Sequence, residues 1–378
     1  MKKCIVATDS FKGTMTAIEV CDIISDELHK YYPECEILNM PIADGGEGTV
    51  DCFLRVLNGE KVFTAVSDAF GNDIPGYYGR FNDLAVIEMA AVAGIVSNSR
   101  RDPAVASTYG VGQLINHAVS SGCSTILLGL GGSCTNDAGT GMAAALGTVF
   151  TDSRGVPFVP AGGTLDMVCG IDNSETKRKL EGVTVCCMYD TTATMFGPEG
   201  AAYVYAAQKG AGPEQVEMLD KNLETFSAAI SRELGIDVSS VAGSGAAGAM
   251  GAGAVAFMNA DLRRGIDVIL ELVKFDECVN GCDCVFTGEG CMDSQSLSGK
   301  AVSGVAARAG KAGVPVIAVV GSLREEKVDS DEMGLSQVIV TAKPGQSFEQ
   351  IKQTCRDDLR KAIDEFAIKQ ESNQPLIL

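Results

Sequence analysis

The sequence predicts an α/β protein in which the two ends of the chain together build one five-stranded parallel sheet. Two strand-like runs near the start, Cys4–Ala7 and Glu36–Ile42, are each followed by a glycine-bearing turn and a helix-like segment. The same order returns near the other end, where Cys284–Thr287, Val314–Val320 and Gln337–Thr341 are strand-like. The middle of the chain has a different pattern, which indicates a second α/β domain inserted into the first.

The length of 378 residues also favours two domains. We place the first, a discontinuous flavodoxin- or Rossmann-like domain, at residues 1–59 plus 279–378. The inserted domain is expected at residues 60–278. Within the first domain Thr16 is the predicted N-cap of a helix, because Glu19 follows three residues later and completes a capping box.

The inserted segment combines two kinds of pattern. Short alternating runs at Lys61–Asp68, Gly76–Phe81 and Leu84–Met89 are separated by turn residues and predict a hairpin or meander. The strand-like run Thr125–Leu128 is mostly apolar, as in a buried strand. The Ala/Gly-rich stretch Ser244–Met258 predicts a helix that packs very closely against its neighbours.

The composition excludes several classes of function. A net charge of −19 argues against a surface for nucleic acid or for anionic membranes. No window approaches the roughly 18 uncharged apolar residues of a membrane helix. The first residues lack the apolar run of a signal peptide, so we expect a cytoplasmic protein whose 14 cysteines are mostly reduced. With only two histidines in the chain, acid–base chemistry is expected from carboxylates.

The stretch Gly129–Gly147 carries the strongest local signal. It leads from a buried strand through a glycine-rich turn into a helix N-terminus, which is a common arrangement for binding anions. Gly131 and Gly132 let a ligand approach the backbone closely. Asn136 and Asp137 add a polar pair that can orient a hydroxyl group or hold a cation. An ordinary strand-to-helix turn, capped by Thr135 or Asn136, is the alternative.

Three further turns share this mixture of glycine and carboxylate. They are Asp9–Lys12, Asp44–Glu47 and Glu289–Asp293, the last of which leads to Lys300. Glycine lets backbone amides reach phosphate oxygens, lysine supplies a positive charge, and carboxylates hold Mg²⁺ or accept a proton. Phosphoryl transfer needs this combination, because its catalysis is mostly positioning and charge compensation.

Other classes of protein fit the sequence less well. There is no GxxxxGK[ST] run, no HRD or DFG motif, and no GxGxxG soon after the first strand. P-loop enzymes, protein kinases and hydride-transferring dehydrogenases are therefore disfavoured. A pure binding module is disfavoured by the number of separate loops that bear carboxylates.

Stretches along nearly the whole chain resemble the type-1 glycerate kinase family. The resemblance is carried by Asp9–Gly13, Pro41–Thr49, Ser107–Leu114, Gly129–Gly147, Gly197–Ala202, Gln208–Gly210, Gly245–Asp267, Gly288–Gly290, Asp293–Gln295 and Gly299–Lys300. It implies phosphorylation of D-glycerate by ATP, with Mg²⁺, in a fold of two α/β domains with the active site in the cleft between them. By resemblance, the 2-hydroxyl group is the favoured position. The sequence leaves open whether the chain forms a homodimer.

Candidate roles are assigned to residues of these loops and to Asp190, at the end of the buried strand predicted for Val183–Met188. Lys12 and Lys300 are expected to neutralise phosphate or the substrate carboxylate, and Asp190 or Asp44 to act as the base. Glu289 and Asp293 are the candidates to hold Mg²⁺ or substrate. The other candidate contacts to substrate or nucleotide are Asp9, Ser10, Gly45, Gly46, Glu47, Gly131, Gly132, Ser133, Asn136 and Asp137.

Some positions depart from the family pattern. Cys291-Met292 stand where an arginine and an aliphatic residue are usual, Ala193-Thr194 where Asn-Pro is usual, and Ala138 where glycine is usual. A kinase of a related small hydroxy acid, or a non-catalytic sensor of a sugar acid or nucleotide, is therefore the alternative function.

Overall fold

The structure is a computed structural model that describes residues 1–43, 45–96, 98, 100–292, 301–324 and 333–371. By its internal contacts the chain divides into two compact units. The first comprises Met1–Asp44, Asp51–Leu57 and Ile266–Leu378, and the second comprises Gly45–Val50 and Asn58–Gly265. The domain boundaries at 60 and 278 and the cleft between two domains stay predictions.

Strands and helices alternate along most of the chain. In chain order, the strands are β1 Lys3–Thr8, β2 Glu36–Asn39, β3 Glu60–Ser67, β4 Asp73–Phe81, β5 Leu84–Glu88, β6 Thr125–Gly129, β7 Val149–Thr151, β8 Pro157–Phe158, β9 Gly170–Asp172, β10 Thr184–Tyr189, β11 Asp261–Arg264, β12 Cys284–Met292, β13 Val316–Leu323 and β14 Gln337–Val340. The helices are α1 Ala17–Tyr31, α2 Thr49–Val56, α3 Ala90–Ala93, α4 Tyr109–Ser120, α5 Thr140–Leu146, α6 Ser174–Lys179, α7 Ala201–Tyr205, α8 Pro213–Leu234, α9 Ala246–Met258, α10 Gly265–Leu272, α11 Phe275–Cys278, α12 Ala301–Lys311 and α13 Phe348–Glu371. In the parts of the chain that the structure describes, no helix is long and apolar enough to cross a membrane.

The first unit contains the predicted five-stranded parallel sheet, which is confirmed. Its strand order is β14-β13-β12-β1-β2, and every neighbouring pair is parallel. Helices α1 and α13 pack together, and the ring of Phe366 in α13 meets Phe286 of β12 edge-on, with ring centroids 5.5 Å apart. Helix α1 begins with the predicted capping box of Thr16 and Glu19. From β1 the sheet grows to β2 on one side and to β12 on the other, so the strand order reverses there, and ligands usually bind at such a point.

The second unit contains a six-stranded sheet of order β11-β10-β6-β5-β4-β3. Strands β5, β6, β10 and β11 are parallel, whereas β3, β4 and β5 pair antiparallel, as the predicted meander requires. A three-stranded sheet of order β8-β7-β9 lies in the same unit. The sequence did not predict β11, because Asp261–Arg264 is short, charged and on the sheet edge, without hydrophobic alternation.

Helix α9 departs from the regular helix predicted for the Ala/Gly-rich stretch. Ala247, Gly248 and Ala249 have left-handed backbone angles, with φ of 57°, 69° and 64°. The segment packs on the loop before α5: the amide of Ala138 donates to the carbonyl of Gly248 at 3.1 Å. A Cβ on Gly248 would lie 2.1 Å from the Thr135 carbonyl oxygen. Left-handed alanine costs about 1–2 kcal/mol, so strain is concentrated beside this loop.

Candidate active site

The carboxyl edge of the second sheet gathers several of the predicted site residues. Gly129, the last residue of β6, is opposite Glu88 of β5 and Met188 of β10. The amide of Leu130 donates to the Met188 carbonyl at 3.2 Å, which ties the chain leaving β6 to β10. Asp190 follows β10 directly and is exposed. Ligands of α/β proteins bind at such an edge, so it is the candidate site.

Gly45 and Gly46 meet the glycine-rich turn at this edge. The amide of Gly131 donates to the Gly45 carbonyl at 3.1 Å. A Cβ on Gly129 would lie 2.2 Å from the Gly45 oxygen, and one on Gly131 would lie 2.8 Å from the Cα of Gly46. The two backbones are therefore in direct contact, while Glu47 is exposed next to them.

Gly129→Ala should lower the free energy of unfolding by about 3 kcal/mol, because backbone atoms must shift to make room for the methyl group. Thermal or denaturant unfolding measures the change. Gly310→Ala is the matched control: Gly310 is an exposed helix residue with nothing within 4 Å of a Cβ. There the same substitution should stabilise by up to about 1 kcal/mol. Equal stability of the two variants would contradict the close backbone contact.

Asp137 holds the loop that follows the glycine-rich turn. Its carboxylate is fully buried and accepts hydrogen bonds from the Thr108 amide and hydroxyl, both at 2.8 Å. It also accepts the amides of Gly139 and Gly141, each at 3.3 Å. Burial raises the pKa of Asp137, against the effect of these hydrogen bonds. The geometry gives Asp137 a positioning role between the starts of α4 and α5, and its contact with a ligand stays a prediction.

Asn136 is one of the buried polar residues of the candidate site whose side-chain hydrogen bonds are unsatisfied among the described residues. Its side chain is fully buried, and neither its oxygen nor its nitrogen has a hydrogen-bond partner among the residues that the structure describes. The hydroxyl oxygens of Thr135 and Ser244 share this condition. Each unsatisfied group costs about 1–3 kcal/mol. Neither Thr135 nor Asn136 caps α5, whose N-cap is Gly139 with φ 72°, so the alternative of a simple capped turn is wrong in this detail.

Lys209 belongs to the site although the sequence did not single it out. Its side chain is buried, and its Nζ donates to the Ser133 hydroxyl at 3.1 Å and to the Thr135 carbonyl at 2.7 Å. Burial lowers the pKa of Lys209 to about 8, while Cys134 and Asp137 act to raise it. The segment Gln208–Gly210 carried the resemblance, but nothing in its spacing signals that the lysine is buried.

Lys209→Met should remove a rise in stability that the wild type shows above pH 8. Below that pH, both the folded and the unfolded chain hold the proton, so folding bears the full cost of burying a charge. Between the folded pKa of about 8 and the ordinary value of 10.5, only the unfolded chain holds it, and stability rises with pH. From pH 7 to pH 10, wild-type stability relative to the variant should increase by about 2–3 kcal/mol in denaturant unfolding.

The surface residue Lys221 provides the control for that measurement. Its ammonium pairs with Glu224 at 2.6 Å, and both side chains are exposed. Lys221→Met should therefore leave the pH dependence of stability unchanged. A relative stability of Lys209→Met that does not vary between pH 7 and pH 10 would contradict a depressed lysine pKa.

Four predicted residues lie together in the first unit, at the carboxyl ends of β1 and β12. The amide of Asp9 donates to the Gly288 carbonyl at 2.8 Å, and the amide of Ser10 donates to the Asp9 carboxylate at 2.6 Å. A Cβ on Gly290 would lie 3.1 Å from the Lys12 amide nitrogen, so the turn packs against β12. Lys12 is exposed and Glu289 is buried. This is the point at which the strand order of the sheet reverses.

Of the two residues predicted to bind Mg²⁺, Glu289 is within the part of the chain that the structure describes. Among the described residues there is no group of three or more acidic, histidine or cysteine side chains arranged for a metal ion. Mg²⁺ in phosphoryl-transfer sites takes one or two protein carboxylates and receives its other ligands from phosphate and water. Glu289 fits that smaller requirement. Asp44, Asp293 and Lys300 lie outside the described residues.

Two arginines at the edge of the second sheet were also missed. Arg263 is opposite Met188, and Arg264 is opposite Tyr189, the residue before Asp190. They were missed because β11 itself was not predicted. Their positive charge at this edge is suited to anions in an otherwise acidic protein.

Comparison with known proteins agrees with the predicted resemblance. A family model described as the glycerate kinase family matches residues 4–369. The chain belongs to the glycerate kinase family. A glycerate kinase of Bacillus cereus is 39% identical over 347 residues, which are 90% of this chain and 91% of that protein. The glycerate 2-kinase of Escherichia coli is 37% identical over 328 residues, 86% of each chain.

A solved structure extends the agreement to the fold of this glycerate kinase family member. The crystal structure of a putative glycerate kinase 2 from Salmonella typhimurium matches with a TM-score of 0.85 and 35% identity, and the match covers 99% of both chains. In this chain, the second unit contains Gly45, Gly46, Gly131 and the loop of Asn136. The first unit contains the Asp9–Lys12 turn.

Proposed function

We propose that this enzyme transfers the γ-phosphoryl group of ATP to D-glycerate and forms 2-phosphoglycerate and ADP. The observation that carries the proposal is the carboxyl edge of the second sheet. There the buried, unsatisfied Asn136 adjoins a turn where glycine backbones meet, and an exposed carboxylate, Asp190, follows a neighbouring strand. Among the relatives, the one named glycerate 2-kinase supports the choice of the 2-hydroxyl group.

Asp190 is our candidate for the base. Its exposed carboxylate directly follows β10, whose Met188 carbonyl is bound by Leu130 of the glycine-rich turn. In the reaction the glycerate hydroxyl oxygen forms a bond to the γ-phosphorus, and the bond from that phosphorus to the β,γ-bridging oxygen breaks. The hydroxyl proton passes to the carboxylate, and ADP leaves.

Binding of the small acid is assigned to the glycine-rich turn. Gly132 is exposed with φ 73°, and Ser133 follows it with a hydroxyl group that already contacts Lys209. A turn without side chains lets the backbone approach a carboxylate or phosphoryl oxygen closely. Asn136 offers an amide group whose hydrogen bonds a bound ligand would satisfy.

The nucleotide is assigned to the turn of the first unit. Lys12 is exposed and carries a point charge suited to phosphate, and Asp9 and Ser10 shape the turn that presents it. Glu289 would hold Mg²⁺, which supplies charge compensation for the phosphates when it is bound. The roles of Asp44, Asp293 and Lys300 rest on the resemblance alone.

Phosphorus NMR of the product formed from D-glycerate and MgATP tests the proposal, because it reports both the reaction and the position of the phosphate. L-glycerate, tartronate and lactate are run beside it in an ADP-release assay. We expect D-glycerate to be preferred and the 2-phosphate to form. Preferred turnover of another acid would support a relative with a different substrate. Binding without turnover would support a sensor.

A further inference from the structure

Lys209 lies at the end of the turn Ala207–Lys209, and its ammonium group points into the loop that follows β6. Both of its acceptors are neutral: one is the Ser133 hydroxyl and the other is the Thr135 carbonyl. The nearby Asp137 directs its hydrogen bonds to Thr108, Gly139 and Gly141. The protein therefore holds a buried cation against uncharged atoms, which is costly.

The contact with Lys209 restricts the direction in which the Ser133 hydroxyl proton can point. A serine hydroxyl has one proton to donate and two lone pairs that accept. The ammonium of Lys209 can only donate, so it occupies one lone pair of the Ser133 oxygen and the hydroxyl proton must point elsewhere. Donation to the oxygen also polarises the O–H bond and makes it a stronger donor. Ser133 is 7% exposed and directly follows the exposed Gly132.

We propose that Lys209 is a positioning residue that turns the Ser133 hydroxyl proton toward a bound anionic oxygen. That oxygen belongs either to the carboxylate of the acid or to a transferring phosphoryl group. The inference rests on the proposed function, which supplies the anion. Lys209 acts through Ser133 and does not touch the ligand, since the serine hydroxyl stands between them.

A purely structural lysine would behave differently. The second hydrogen bond of Lys209, to the Thr135 carbonyl, holds the loop whether or not residue 133 has a hydroxyl group. If that bond were the whole function of Lys209, its replacement would change KM and stability by the same factor whether or not residue 133 has a hydroxyl group. The two cases are separated by a double-mutant cycle.

The cycle uses Lys209→Met, Ser133→Ala and the double variant in the full chain. For each protein, kcat, the KM for D-glycerate, the KM for ATP and the melting temperature are measured. We expect each single variant to raise one KM about tenfold, the scale of one hydrogen bond to a charged group, and the double variant to be no worse than either single one. A raised KM for the acid identifies the carboxylate as the ligand, and a raised KM for ATP identifies the phosphoryl group.

Several outcomes decide against the inference. Fold-changes that multiply in the double variant would overturn it, and so would a Lys209→Met variant that loses thermal stability but keeps both KM values. Lys221→Met is the control for loss of a lysine charge and should match the wild type. If Lys209→Met does not fold, Lys209→Leu replaces it in the cycle, because leucine also removes the N–H donors that contact Ser133. Ser133→Thr keeps a hydroxyl and should retain the coupling.

Failure of the proposed function has a different signature. In that case the wild type itself turns over none of the acids. The cycle is then measured by the shift in melting temperature that inorganic phosphate, D-glycerate or ATP produces. If the effects of the two substitutions on this ligand-induced shift in melting temperature are not additive, the role of Lys209 is still supported. Additive effects overturn it.

Discussion

Asp190→Asn is expected to lower kcat by about 10²- to 10⁴-fold while leaving the KM values within a few-fold of the wild type. The amide has nearly the shape of the carboxylate but cannot accept the hydroxyl proton. Asp190 is exposed and follows the end of a strand, so the substitution neither buries a new polar group nor opens a cavity. Steady-state ADP release at saturating D-glycerate and ATP gives the rate, and thermal unfolding verifies that the fold is intact.

Asp166→Asn is the matched control for this variant. Asp166 is an exposed carboxylate of the same unit, in the turn Gly162–Met167, and no role in the site is assigned to it. Its substitution should leave kcat unchanged. If Asp190→Asn keeps kcat within about threefold of the wild type, the base is another group, and Asp44 becomes the candidate.

The parallel sheet of the first unit could be predicted because its three central strands, β1, β12 and β13, are buried along most of their length. Such strands are continuous apolar runs, as at Cys4–Ala7 within β1, and need no knowledge of distant contacts. The capping box of Thr16 and Glu19 is similarly local, since all its hydrogen bonds join residues three apart. The meander in the second unit was predicted from alternation along each strand.

Features that depend on distant parts of the chain were missed. The left-handed turn at Ala247 packs against the loop of Asn136, which lies more than a hundred positions earlier in the sequence. Lys209 is buried by that same loop, and its segment has no pattern that distinguishes a buried lysine from an exposed one. These contacts arise only when the second unit is folded.

The glycines of the candidate site have a packing role in addition to the ligand contact predicted for them. Gly45 and Gly131 were selected because glycine lets a ligand approach the backbone. In the structure their backbones approach each other, with a hydrogen bond of 3.1 Å between them. Part of the need for glycine therefore comes from the contact of the two turns, whatever ligand binds beside them.

Asp137→Asn is expected to lower the free energy of unfolding by about 3 kcal/mol. In the wild type, one carboxylate oxygen accepts both donors of Thr108 and the Gly141 amide, and the other accepts the Gly139 amide. Asparagine has only one acceptor oxygen, so its NH₂ group must face an N–H donor in a fully buried place. Denaturant unfolding at neutral pH measures the loss.

Asp172→Asn is the control for the loss of a carboxylate that accepts a backbone amide. Asp172 is exposed and accepts the Ser174 amide at 3.0 Å, and asparagine can keep that bond. We expect the Asp172→Asn substitution to change the free energy of unfolding by less than about 0.5 kcal/mol.

The kinetics of Asp137→Asn separate two possible roles of Asp137. Near-normal KM values with a large stability loss mean that Asp137 positions the loop. A KM raised by a factor of about ten or more at nearly unchanged stability would mean that it contacts the ligand, because a lost direct bond weakens binding without unfolding the chain.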